Sequence, residues 1–150
     1  MTTARRRAAA IAAIAAAFTA AMALPGPVLA DEEPVVSIDG TICYEVYKDD
    51  KPTFTARLSE KSEKDVVVVV HTEDGSAQSP KDYQGSDRLV VVIPAGQTRV
   101  EVPLEIVDDG EKEPDEYFLV VVDAAYGAVI GNDKAEIIIK DGAPPQQPGK

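Results

Sequence analysis

Six of the nine residues from Asp108 to Glu116 (DDGEKEPDE) are carboxylates. Side chains of one sign held this close repel one another unless water, Lys112 or a cation screens them. A hard divalent ion suits such oxygens. Calcium takes about 6 to 8 oxygen donors in irregular geometry, which a loop can wrap, whereas magnesium demands tighter octahedral placement. Taken alone, the run fits equally well a solvated acidic loop that keeps the chain soluble. It is not an EF-hand: counting from Asp108, the third and fifth positions are Gly110 and Lys112, and the sixth is Glu113 where that motif needs glycine.

Other chemistries find few residues to use. The chain has one His, His71, and one Cys, Cys43, too few for a zinc site or a nucleophile–base triad. His71 follows a run of valines and reads as a surface residue at a strand end. Cys43 reads as a small buried hydrophobe or as an exposed thiol joining two chains, and no internal disulfide is possible. Paired carboxylates can hydrolyse glycosides, but within a cleft that usually carries aromatic platforms. The chain has no Trp and, beyond residue 30, only seven Tyr and Phe. An enzyme is not expected.

The elements that must position the acidic run are strands. No stretch beyond residue 30 shows helical periodicity, and short apolar, β-branched runs alternate with Gly, Pro, Asp and Asn. From Thr98 to Val107, Val100, Val102, Leu104 and Ile106 face one way while Arg99, Glu101 and Glu105 face the other. Similar patterns predict strands over 35–38, 42–47, 53–58, 66–72, 89–93, 117–122 and 135–139, a spacing that fits an all-β sandwich. Asp74-Gly75, Pro94-Ala95-Gly96 and Gly131-Asn132-Asp133 are turn signals. The unbroken run Val66–Val70 predicts a strand covered on both faces, or one with a partner beyond this chain. Tyr83 and Tyr117 are expected to pack beside the acidic run, with Tyr44 or Tyr47 flanking an edge.

The two ends differ in composition from the middle. Residues 1–30 hold Arg5, Arg6 and Arg7, then an Ala/Ile-rich run to Leu24, then Pro25-Gly26-Pro27 and the small residues before Asp31, with no acid. This is the pattern of a secretory signal peptide cleaved after Ala30; the arginines invite a twin-arginine route, while the alanines that follow them favour Sec, and the choice stays open. The apolar run is too short and too weakly apolar for a membrane anchor. Residues 31–141 then form one domain of the size that holds a two-layer core, and the Pro/Gln-rich residues 142–150 form a flexible tail. The product is secreted, with no membrane span. Residues 31–150 carry twelve basic and 26 acidic residues, a net charge of −14, which repels nucleic acid and anionic membranes and attracts cations.

Five segments also carry a family likeness: Thr72-Glu73-Asp74-Gly75-Ser76-Ala77, Lys81-Asp82-Tyr83, the stretch from Ile93 to Thr98, Ile106-Val107-Asp108-Asp109, and the stretch from Glu113 to Phe118. In order and spacing the chain resembles the Calx-beta domain of sodium/calcium exchangers, integrin beta-4 and many bacterial surface proteins. The match runs from Thr72 to Val122 and extends to Val35 and Asp141. The resemblance implies a seven-stranded antiparallel Greek-key sandwich of immunoglobulin-like appearance with calcium at one pole. It implies metal ligands at Asp82 of the D-Y pair, at the paired Asp108 and Asp109, at Glu113 and Glu116 of the following loop, at Asp141, and at Glu45 near the start. Gly110, Gly142 and Ala143 stand where multi-ion members carry aspartates. One or two Ca2+ ions are therefore expected rather than four, with dissociation constants of about 10⁻⁴ to 10⁻³ M. Two functions follow as expectations: an exported calcium-binding module, or a calcium-independent adhesion scaffold that docks a cell-surface or extracellular protein.

Overall fold

The computed structural model describes residues 32–45 and 51–143, together with 146, 148 and 149. The expected signal peptide, residues 46 and 47 of the second expected strand, and much of the Pro/Gln-rich tail lie outside the described residues. Among the described residues nine strands follow one another: β1 Val35–Asp39, β2 Thr41–Tyr44, β3 Thr53–Leu58, β4 Val66–Asp74, β5 Leu89–Ile93, β6 Arg99–Pro103, β7 Glu116–Tyr126, β8 Val129–Ile130 and β9 Lys134–Lys140. They form two sheets, in the orders β6-β3-β1-β8 and β2-β9-β7-β4-β5. The expected all-β sandwich is present. Within it β2 continues β1 after a change of sheet, and β8 is a two-residue strand with no alternation to betray it. Pairing is antiparallel except for β1 with β8 and β2 with β9. Among the described residues no helix is long and apolar enough to cross a membrane.

Alternation decides which side chains fill the space between the sheets. Val36, Ile38, Phe54, Ala56, Phe118, Val120, Ile137 and Ile139 are fully buried or nearly so, each contributing apolar area at about 25 cal/mol per Å² removed from water. In β4, Val66, Val68 and Val70 point inward, and Val69 on the opposite face is also covered. This strand lies between β5 and β7, so its partners belong to the same chain and the unbroken valine run is a central strand. The β4–β7 register shifts between Val69 and Val70, a local bulge.

The alternation read over Thr98–Val107 holds, but the ladder does not. β6 ends at Pro103, which has no N–H to donate. Leu104 N–H instead donates to the Pro52 carbonyl at 2.7 Å, and Ile106 makes an isolated bridge to Tyr83. Leaving the ladder here turns the chain toward the loop that begins at Asp108. The chain passes from β1 in one sheet to β2 in the other through Gly40. A Cβ on Gly40 would lie 1.8 Å from the Glu136 carbonyl oxygen, so only glycine fits where the strand crosses.

Candidate metal centre

Asp82 is the one buried charged residue among those described, 4% exposed, and its surroundings fix it. Its N–H donates to the Gln78 carbonyl and its Oδ2 accepts the Gln78 N–H, both at 2.8 Å. Its own carbonyl accepts Val107 N–H at 2.9 Å, tying this turn to the segment before Asp108. Next to it, Tyr83 is buried and stacked on Phe118 of β7, and its hydroxyl donates to Asp74 Oδ1 at 2.6 Å. Burial and the bond to Asp74 push the Tyr83 phenol up to about 12. That hydrogen bond, with one from Ser79 N–H, holds the Asp74 carboxyl below its ordinary range. Asp74, expected only as part of a turn, is thus the last residue of β4 and an acceptor that braces the Asp82 turn.

Asp82, Glu113 and Glu116 each offer a carboxylate oxygen, and these oxygens lie within 4.8 Å of one another. Glu116 opens β7 and is held in register opposite Ile139 of β9. Its Oε2 is buried with no hydrogen-bond partner, an arrangement that costs free energy until something coordinates it. Burial, and then the neighbouring Asp82 and Glu113 carboxylates, hold its carboxyl above the ordinary range. Lys81 reaches into this group: its Nζ lies 2.5 Å from Glu113 Oε1 and 3.3 Å from Asp82 Oδ1. Those two bonds raise its ammonium well above the ordinary lysine range.

A second triple shares Glu113. Asp109, Glu111 and Glu113 also bring oxygens within 4.8 Å of one another. Asp108 Oδ1 accepts Gly110 N–H and Asp109 Oδ1 accepts Glu111 N–H, each at 2.9 Å, so these side chains shape the loop as well as charge it. Gly110 adopts a φ of +75°, a left-handed conformation that glycine takes without steric cost. Glu45, Asp108, Glu111 and Asp141 line one hollow beside this triple. Glu45 arrives from β2, whose pairing with β9 is prolonged by Glu45 N–H donating to the Lys140 carbonyl at 3.1 Å. Burial, then Asp141, Glu113, Asp108 and Asp109, push the Glu45 carboxyl up to about 7.

All seven residues expected as ligands therefore converge at one pole: Asp82, Glu113 and Glu116 in one triple, Asp109 and Glu113 in another, and Glu45, Asp108 and Asp141 around the adjoining hollow. Glu111, not singled out from the sequence, joins them. The donor set is oxygen throughout, without sulfur or imidazole, and one buried oxygen lacks a partner. That combination fits calcium. The expected readings elsewhere are mixed. Cys43 is buried, as one of its two readings had it, donating to the Ile138 carbonyl, and burial pushes its thiol up to about 11. His71 is not at a strand end; it lies within β4, which runs on to Asp74. Its Nδ1 is 2.8 Å from Asp123 Oδ1 and its Nε2 3.2 Å from Glu73 Oε1.

Comparison with known proteins agrees with this fold. A sequence profile of the Calx-beta domain matches residues 31–143. Among solved structures, the apo-form Calx CBD1 domain is similar with a TM-score of 0.66 and 19% identity, covering 75% of this chain and 100% of that one. The Calx CBD2 domain is similar at a TM-score of 0.63 and 15% identity, over 73% of this chain and 88% of that one. The calcium binding domain CBD12 of CALX1.1 is similar at 0.63 and 19%, over 71% of this chain, which spans only 45% of that longer structure. At these identities the structural likeness speaks for the fold. No curated protein sequence matches the chain significantly.

Proposed function

The chain belongs to the Calx-beta domain family, and from that premise we propose that it is an exported calcium-binding module whose acidic pole holds one or two Ca2+ ions. The observation that carries the proposal is the Asp82–Glu113–Glu116 triple with its unpartnered Glu116 Oε2. A bare cluster of exposed acids would leave no buried oxygen waiting for a ligand. Asp82, Glu113 and Glu116 hold the first ion. Asp109, Glu111 and Glu113 hold the second, with Glu45, Asp108 and Asp141 completing its oxygen shell. The likeness to the calcium binding domain CBD12 of CALX1.1 supports the same ion. Export is supported by the basic, then apolar, then small-residue order of residues 1–30. Weak sites suit calcium outside the cell, where modules bind in the 10⁻⁴ to 10⁻³ M range.

Calcium then acts as a structural ligand. It neutralises repelling carboxylates, orders the loop from Asp108 to Glu116, and stabilises the folded state by mass action, by about 1.4 to 2.7 kcal/mol at ten to a hundred times its dissociation constant. The test is thermal unfolding after chelation. Millimolar CaCl2 should raise the melting temperature and MgCl2 should raise it far less; no calcium-dependent shift would sink the proposal.

One observation favours the adhesion-scaffold alternative. β5 is an edge strand of the five-stranded sheet and exposes Val90 and Val92, an apolar edge of the kind that adds a strand from a partner. If Asp82, Asp108 and Asp109 can all be replaced by Asn with stability and surface association unchanged, the scaffold reading stands in place of the calcium one.

A further inference from the structure

We infer that Lys81 is a built-in counter-ion, standing where calcium must go and setting how tightly the ion is held. The inference rests on the calcium reading of the pole and adds a device to it. Lys81 Nζ contacts two of the three carboxylates of the first triple, Glu113 at 2.5 Å and Asp82 at 3.3 Å. Both carboxylates are largely covered: the Asp82 side chain is 5% exposed and that of Glu113 18%. Calcium needs the same oxygens, so it cannot enter without breaking both contacts or sharing the site with a positive charge at close range.

Lys81 is suited to this by its place in the chain. Asp82 and Tyr83 are fixed by the Gln78 bonds and the Phe118 stack, so the root of Lys81 does not move away from the cluster. Its side chain, however, is 54% exposed, and a flexible four-carbon stem with a compact ammonium can swing outward into water. A single ammonium also fails to complete the site, because Glu116 Oε2 stays without a partner. A divalent ion with more coordination positions would satisfy it. Lys140 is engaged with Asp115 at 2.7 Å, so it does not share the task. The outcome is a pole that remains assembled without calcium, at the cost of weaker binding.

The experiment compares the chelated wild-type protein with Lys81→Met, Lys81→Gln and Lys81→Arg by calorimetric titration with CaCl2 and by ion-free melting. The neutral variants should melt lower without ion and bind calcium roughly three- to tenfold tighter, while Lys81→Arg stays near wild type in both. If the wild type binds calcium and the neutral variants bind no tighter, or if their ion-free melting temperature does not fall, the counter-ion role is overturned and the calcium reading survives. If no protein in the series binds calcium, both fall together. Should the neutral variants be unfolded without ion, folding on addition of CaCl2 supports the role, and remaining unfolded overturns it.

Discussion

The ring of Tyr83 lies flat against that of Phe118, with centroids 3.8 Å apart and planes 5° from parallel. Tyr83 follows Asp82 directly, and Phe118 lies two residues beyond Glu116 on β7. The stack therefore locks together the two chain segments that supply oxygens to the first triple, through the core rather than across the surface.

Loosening that stack should be felt at the pole. Phe118→Leu is expected to cost about 1–3 kcal/mol in denaturant unfolding and to weaken calcium binding severalfold. Ile93→Val, a loss of about 0.5–1.5 kcal/mol in β5, should leave affinity unchanged. Equal effects on affinity would show that Phe118 acts through global stability alone.

Charge and hydrogen bonding at Asp82 can be separated. Asp82→Asn keeps an oxygen for Gln78 N–H and should melt within a few degrees of wild type in chelator, yet show little calcium-induced shift. Asp82→Ala leaves that N–H unpartnered and should cost about 1–3 kcal/mol without any ion. Parallel melting curves of the two variants with and without CaCl2 give the comparison.

Acidification should stabilise the ion-free protein. The Glu45 carboxyl rises from near 4.5 to about 7 on folding, so its ionised form costs the fold above pH 7, and stability is gained as pH falls from about 7 toward 4.5. Burial pulls the His71 imidazole down, but its bonds to Asp123 and Glu73 outweigh this and raise it above 6.5. Its contribution is complete below pH 6.5 and is lost as pH rises through the higher folded value. The chelated protein should melt higher at pH 6 than at pH 8. Glu45→Gln and His71→Gln should each flatten part of that slope, and protons at Glu45 should make calcium bind more weakly at pH 6.

Gly40→Ala should be among the most damaging single changes. Its methyl would meet the Glu136 carbonyl at 1.8 Å, and a carbonyl within the β7–β9 ladder cannot swing away as a side chain can. A loss of about 3 kcal/mol or more in denaturant unfolding is expected.

Period-two alternation made most strands legible in the sequence, because half-buried strands must sort their residues by face, as Val100 to Ile106 do. The acidic loop was legible as charge, and the convergence of Asp82 and Asp141 on it was implied by family likeness rather than by spacing. What stayed hidden depends on neighbours distant in the chain. Nothing local marks Gly40 as a crossing between sheets, since the obstacle is Glu136. Val129 and Ile130 are too few to show a period. Asp74 looked like half of a turn because its partner, Tyr83, lies nine positions on. Lys81 entered only as part of the Lys81-Asp82-Tyr83 segment, because its closest carboxylate, Glu113, comes from 32 residues away.

The parallel pairing of β2 with β9, from Thr41 opposite Ile137 to Tyr44 opposite Lys140, has a mechanical consequence. Tension applied through residue 34 on one side and residue 141 on the other drags β2 and β9 past each other lengthwise. Their hydrogen bonds then take the strain together instead of parting one by one. A chain tethered by both ends would give way in a single abrupt rupture in a single-molecule pulling experiment, and calcium bridging Glu45 and Asp141 would fasten the far end of that same seam and raise the rupture force.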